Sequence, residues 1–364
     1  MKDLTTILAL AICLVYQSCE KHDRPVKNQN QLKEDVAALI NTRTQKLSFK
    51  APIAWALLQS GTVISSYQQG FEIPDGNTAV SDESLFLLAS ASKMITSVMV
   101  MKAAEEGKIQ LKAKASDYVS ELPAAWETIT ISQLLSHTDG MADVTDNENY
   151  KALSPAVTEG LDRWKYLTYA AAPPVYFKAG TQSRYGQTGF VLLSLILEEV
   201  YEMPYETLIA QKIFMPLGML RTHFFTESDV IGNYKPQVFE PAGNSFTKVT
   251  PPYVYADFAT AGICTNMKDM IRFISALQKN ELLNAQSFKR LYTPIEGKSG
   301  FALGWQFQHK DGQLMTGHTG GWSVVVMHFP ATNATSIFLS SVADESILNT
   351  GYQVAEKALA FTRQ

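Results

Sequence analysis

Strand-like segments at both ends of the chain, around a helical middle, predict an α/β fold of the α+β type. The sheet would be antiparallel, built from both chain ends and flanked by helices. Three observations carry this expectation. Apolar, β-branched runs cluster early, at 53–71, and late, at 302–341; helical periodicity dominates between them; and turn signals separate neighbouring runs. A chain of 364 residues exceeds the roughly 250–300 at which a single core stops growing. One domain over 32–364 is therefore expected to hold a sheet lobe (about 32–88 and 295–364) and an inserted, mainly helical lobe (about 89–294).

Residues 1–19 read as a removable export signal. Lys2 gives a short charged start, Leu4 to Tyr16 carry no charge, and Gln17-Ser18-Cys19 end the run. Such a run is too short to span a bilayer comfortably, and a small residue before a cysteine at its end resembles a bacterial lipoprotein processing site. Asp3, Tyr16 and Gln17 depart from the usual form of that site. Cys19 is expected to carry lipid and to tether the protein to a membrane in the periplasm or cell envelope. The tether itself is the polar segment 20–31, which contains Pro25. With Cys13 removed and Cys19 lipidated, Cys264 is the remaining thiol, so the mature monomer is expected to hold no internal disulfide. Among small residues in Ala261-Gly262-Ile263-Cys264, it reads as a buried packing residue.

Leu32, Val36, Leu39, Ile40 and Leu47 recur at helical spacing and predict an amphipathic first helix. Runs at 53–59 and 63–71, separated by Ser60-Gly61-Thr62, predict a hairpin. From about Ser92, a stripe of Met94, Ile95, Val98, Met101 and Ala104 predicts a helix stopped by Gly107. Further helices are expected at 131–136, 189–201, 205–214 and 268–278. Strands return at 302–309, 323–329 and 336–341, before a closing helix from Asp344 or Glu345 to about Ala360.

Hydrophobic residues at 46% and charged ones at 18% describe an ordinary globular chain. A net charge of -4 lacks the basic field that a phosphate backbone requires, so nucleic acid is not expected as a partner. The six histidines contain no His-x-x-x-His pair, and Cys-x-x-Cys, Gly-x-Gly-x-x-Gly and the phosphate-loop pattern do not occur. Neither a metal nor a cofactor is therefore expected.

Ser90-Ala91-Ser92-Lys93 puts a hydroxyl and an amine one turn apart where a loop becomes a helix. A serine hydroxyl attacks a carbonyl only with a base in reach, and a lysine of lowered pKa can serve. The helix start adds N–H groups aimed at developing negative charge. Ser245-Phe246-Thr247-Lys248 repeats the spacing, but among Gly243, Asn244 and prolines it reads as an exposed loop. Two more segments complete the pattern: Tyr185-Gly186-Gln187 before a helix, and Gly317-His318-Thr319-Gly320-Gly321 before a strand. A tyrosine beside the lysine can relay the serine proton to a leaving group. A glycine-rich edge lets substrate backbone approach closely.

Together these segments resemble the penicillin-recognising serine hydrolases: class C β-lactamases, D-alanyl-D-alanine carboxypeptidases and allied esterases. The resemblance extends to Leu134-Leu135-Ser136-His137-Thr138-Asp139-Gly140, to Ala261-Gly262-Ile263 and to Gly304-Trp305. It implies a β-lactamase/transpeptidase-like fold with Ser90 as nucleophile, Lys93 as its activating partner and Tyr185 as proton shuttle. Gln187 would touch the substrate's acyl amide, and His318 and Thr319 would line the far wall with Gly320. The N–H groups of Ser90 and Gly321 would form the oxyanion hole. Gln187 stands where relatives usually have asparagine, and Trp322-Ser323-Val324 replaces a longer stretch. His137 reads as a structural residue at a helix end. An unperturbed His318 would be mostly neutral above pH 7 and would gain charge on acidification, drawing in a substrate carboxylate. The expected activity is acyl transfer on a small-molecule or peptide substrate. An esterase or D-amino-acid peptide hydrolase, with weak β-lactamase activity, is favoured. The rival is a non-hydrolytic sensor that captures a cell-wall fragment or penicillin.

Overall fold

The computed structural model describes residues 28–45, 50–73, 76–226, 237–242, 245–249, 251, 254–295 and 300–363. The expected signal and its lipidation residue Cys19 lie outside these residues, as does Leu47.

Helix α1 (Gln29–Thr44) begins inside the expected linker because the Asn28 side chain caps it, accepting a hydrogen bond from Gln31 N at 3.1 Å. Its buried residues include Leu32, Val36 and Ile40. The hairpin that follows pairs β1 (Ile53–Gln59) with β2 (Thr62–Gln69). Both turn residues, Ser60 (φ 49) and Gly61 (φ 78), are left-handed, as a two-residue turn joining right-twisted strands requires.

Short strands β3 (Phe86–Leu87), β4 (His223–Phe224), β5 (Val238–Ala242), β6 (Ser245–Val249) and β7 (Ile263–Thr265) punctuate the helical middle. They form a three-stranded sheet, β3-β7-β4, and a two-stranded one, β5-β6. The second Ser-x-x-Lys match is thus part of a paired strand, not a loop. Near the C-terminus lie β8 (Gln306–Lys310), β9 (Gln313–Gly320), β10 (Val324–Phe329) and β11 (Ala334–Ser340). With the hairpin they make a six-stranded sheet in the order β2-β1-β11-β10-β9-β8, each neighbouring pair antiparallel. The chain ends therefore meet at the β1/β11 pair, as the sequence predicts. Strand β9 was not legible, because Gly317 and Gly320 make it look like a loop.

Helix α2 (Ser92–Glu105) departs from the expected one-sided stripe: Ser92 to Met101 and Ala103 are all buried. It lies between β9 and the helices Thr188–Tyr201, Phe258–Ala261 and Ala285–Tyr292, so no face meets water from Ser92 to Met101. Gly304 explains part of this closeness. A Cβ there would come within 1.8 Å of Ser97 Oγ, and its φ of 87 turns the chain before β8, so the expected strand at 302–305 is a turn. Helix Met267–Gln278 packs on β1 and β11, while the C-terminal helix Glu345–Arg363 packs on β10, β11 and α1. The remaining expected helices form as α3 (Ile131–Leu135), Thr188–Tyr201, and Tyr205–Ile209 extended by a wider turn, Ala210–Phe214.

Candidate active site

Strand β3 leads into the tight turn Ala89–Ala91, and α2 follows directly. Leu88 N donates to Ile263 O at 2.9 Å, which ties this turn to β7. Ala89 holds a left-handed φ of 45, a conformation that disfavours a side chain by about 1–2 kcal/mol. Ser90 sits half-buried in the turn. One helical turn on, Lys93 is wholly buried at 0% exposure. Its Nζ donates to Tyr185 Oη at 2.8 Å, to Gln187 Oε1 at 2.6 Å and to the backbone oxygen of Thr260 at 3.1 Å. An ammonium has three protons, and here three acceptors take them.

The second motif is held by a loop from the Leu-Leu-Ser-His segment. Asp143 Oδ2 accepts from Gln187 N at 2.6 Å, at the start of the Thr188–Tyr201 helix, and Val144 N donates to Thr188 Oγ1 at 3.0 Å. A negative group at a helix N-terminus satisfies donors that the helix leaves open. A Cβ on Gly186 would stand 2.6 Å from the same carboxylate oxygen, which is why a glycine separates Tyr185 from Gln187. Asp139, buried in this loop, accepts from Met141 N at 2.8 Å, and burial raises its carboxyl to about 7.

In the third motif, β9 pairs with β10 from Thr316 to Gly320, whereas β8 covers it only as far as Gly317. Its outer edge from His318 onward is therefore beyond the partner strand's reach. A Cβ on Gly320 would lie 2.1 Å from Leu88 O, so this glycine lets β9 press against the turn that carries Ser90. A Cβ on Gly321 would meet nothing within 4 Å. Alternation along β9 separates the next two side chains. His318 is buried, with its ring 6.0 Å from that of Tyr185 and 6.1 Å from Phe301. The Thr319 hydroxyl instead donates to Gln306 Oε1 at 3.4 Å and also meets Tyr352 of the C-terminal helix.

His318 overturns the expectation of an unperturbed imidazole. Burial, with the Lys93 charge adding to it, lowers its pKa to about 3, so it stays neutral throughout the physiological range. Its Nδ1 is 2.7 Å from Thr319 O, which fixes the tautomer with the proton on Nδ1.

His137, read from sequence as a structural residue at a helix end, also packs into the site: its ring lies 4.8 Å from Tyr185, 5.2 Å from Phe190 and 4.5 Å from Phe301. Burial foremost, then Lys93 and His318, hold it well below its ordinary pKa. The Nε2 atoms of His137 and His318 have no hydrogen-bond partner among the described residues. Thr260 and Asp257 come from the segment before Ala261-Gly262-Ile263. That motif pointed to the place but not to these groups. The Asp257 carboxyl accepts from Thr260 Oγ1, and burial raises its pKa to about 6 although Lys93 opposes the shift. Cys264 is buried beside Leu87, Phe225 and Val238, as a packing residue should be.

Residues 48–358 match a family model described as Beta-lactamase. Among curated proteins, the chain is 24% identical over 340 residues to "Penicillin-binding protein 4*" of Bacillus subtilis (strain 168), covering 87% of this chain and 73% of that one. It is 26% identical over 310 residues to "Protein flp" of Staphylococcus aureus (strain NCTC 8325 / PS 47), covering 80% of this chain but 59% of the longer relative. Among solved structures, D-amino acid amidase from Ochrobactrum anthropi SV3, complexed with D-phenylalanine, superposes with a TM-score of 0.78 at 16% identity. That match covers 92% of this chain and 99% of the other, and shows a shared fold.

Proposed function

From the premise that the chain belongs to the Beta-lactamase family, we propose that it is a serine hydrolase that cleaves an ester or amide through a covalent acyl-enzyme on Ser90. The observation that carries this is the buried Lys93 amine, 2.8 Å from the Tyr185 hydroxyl and one helical turn from Ser90. With all three ammonium protons engaged, Lys93 has no lone pair to offer Ser90. The Tyr185 hydroxyl, 2.8 Å from that amine, is instead the group proposed to take the serine proton.

The steps follow from that arrangement. Ser90 Oγ bonds to the carbonyl carbon as its proton passes to Tyr185, and negative charge gathers on the carbonyl oxygen. Collapse breaks the bond to the leaving alcohol or amine, which departs with the proton from Tyr185. Water then attacks the acyl carbon and gives its proton to Tyr185, and the proton returns to Ser90 Oγ as the acid is released. The N–H groups of Ser90 and Gly321 are the proposed oxyanion donors. Gln187 has its oxygen committed to Lys93, so its amide N–H₂ is the end available to a substrate carbonyl. Among substrates, an esterase or D-amino-acid peptide hydrolase fits better than a dedicated β-lactamase, because a neutral His318 offers no cation to a β-lactam carboxylate.

A fluorophosphonate probe followed by peptide mapping tests the assignment. Label is expected on Ser90, with Lys93→Ala and Tyr185→Phe lowering kcat for an activated ester by roughly 10² to 10⁴. Label on Ser92 or Ser245, or near-normal rates in either variant, would overturn it.

A further inference from the structure

Beside the Ser90 turn lies a pocket of about 210 Å³ that the proposed chemistry leaves unassigned. Its walls are apolar: Leu87, Phe225, Val254, Phe258 and Trp322, with Ala89 at the edge next to Ser90. Asp257 is the one ionisable side chain among its lining residues. The residue as a whole is half-buried and lines the pocket, while its carboxyl is desolvated and accepts from Thr260 Oγ1.

The side of Ser90 on which the pocket stands follows from its lining. Tyr185, which delivers the leaving-group proton, stands with His137, Phe301 and His318, and none of these lines the pocket. The pocket and Tyr185 thus present different walls, and an acyl branch held in the pocket would leave the leaving group to the wall that Tyr185 belongs to. Size narrows the choice further. Sites for drug-sized ligands run to about 300–1,000 Å³, so this volume suits a single side chain or short acyl branch. A carboxylate at an otherwise apolar wall favours a cation carried close to that branch, since an ionised group out of bulk water needs an opposite charge or hydrogen bonds.

We propose that the pocket selects acyl groups with an apolar side chain and a free protonated amine, which Asp257 receives. This rests on the serine-hydrolase assignment for turnover, but the recognition itself is a matter of binding. Lys93 is the competing claimant on Asp257, and Asp143 is the other charged neighbour that acts on it. Tyr150 and Tyr166 feel its charge from the far side.

The test uses Ser90→Ala protein and calorimetry at pH 7.0, where a peptide-type α-amine of pKa about 7.7 is mostly protonated. Phenylalaninamide, as each enantiomer, is compared with 3-phenylpropionamide, which keeps the shape and lacks the amine. At least one enantiomer is expected to bind tenfold or more tighter than the analogue, and Asp257→Asn is expected to bring it to the analogue's level. Equal affinities of amine and analogue would overturn the proposal, a result that does not need the Asp257 variant to fold. So would an Asp257→Asn protein that keeps the full preference, or one that weakens both ligands alike, which would make Asp257 a partner of Lys93 alone. Absence of a covalent adduct on Ser90 in the unmutated protein would instead remove the hydrolase assignment and leave the binding result standing.

Discussion

Lys93 and His318 show how burial changes what a side chain can do. A lysine usually brings mobile charge, but here three fixed acceptors hold it, and its field falls on the neighbouring groups. His318 responds by staying neutral, since burial and that nearby charge both oppose a second cation. Its side-chain NMR signals, assigned through His318→Gln, should therefore show a single neutral tautomer with the proton on Nδ1 from pH 5.5 to 8.5. A titration midpoint near 6.5 would restore the acid-sensitive wall expected from sequence. The residues that carry reactive groups were legible one by one, because Ser-x-x-Lys at a helix start and Tyr-x-Gln before a helix are local patterns. Asp257, Thr260 and Phe301 were not, since their places at the site depend on chain segments far from it in sequence.

The relation between β9 and the Ser90 turn is a matter of backbone approach rather than side-chain chemistry. Gly320 permits it, for any Cβ there would collide with the rigid carbonyl of Leu88. Gly320→Ala should push the strand edge away from Ser90, and a displacement of about 1 Å can lower turnover on the order of 100-fold. The same change should lower Tm, since the clash is with backbone that cannot rotate away. Gly321→Ala, one residue on, should leave Tm unchanged because its Cβ meets open space. Equal Tm losses in the two variants would mean that the strand does not press on the turn as described. A periodic pattern could not reveal β9, because glycine and threonine in the motif mimic a loop. Helix α2 hid its role in another way: burial on all sides leaves no polar face for a stripe to be measured against.

The whole molecule should be sensitive to acid in two stages. His137, His318 and His328 are buried and held below the ordinary histidine range, the last two at about 3. Below pH 6.5 the unfolded chain binds three protons there that the native protein refuses, so stability falls as pH falls. Asp139 and Asp257 act in the opposite sense, for their raised values of about 7 and 6 let the native protein keep protons that the unfolded chain releases above about pH 4. Between pH 6 and 4 the two effects partly cancel, and below about 4, where the unfolded carboxyls bind protons as well, the histidine contribution steepens the loss until His318 and His328 themselves accept protons near 3. Denaturant titrations from pH 7 to 3 should show this change of slope near pH 4; constant stability would mean that the native histidines accept protons freely. The sequence by itself determined the architecture and singled out Ser90, Lys93 and Tyr185 as the candidates for chemistry, because hydrophobic period, turn residues and helix-start motifs are written in neighbouring positions. Tertiary structure alone decided the charge state of His318, the three-acceptor cage of Lys93 and the Asp257 pocket. Each of these depends on desolvation and on distances between segments that lie far apart along the chain, and no local pattern encodes either.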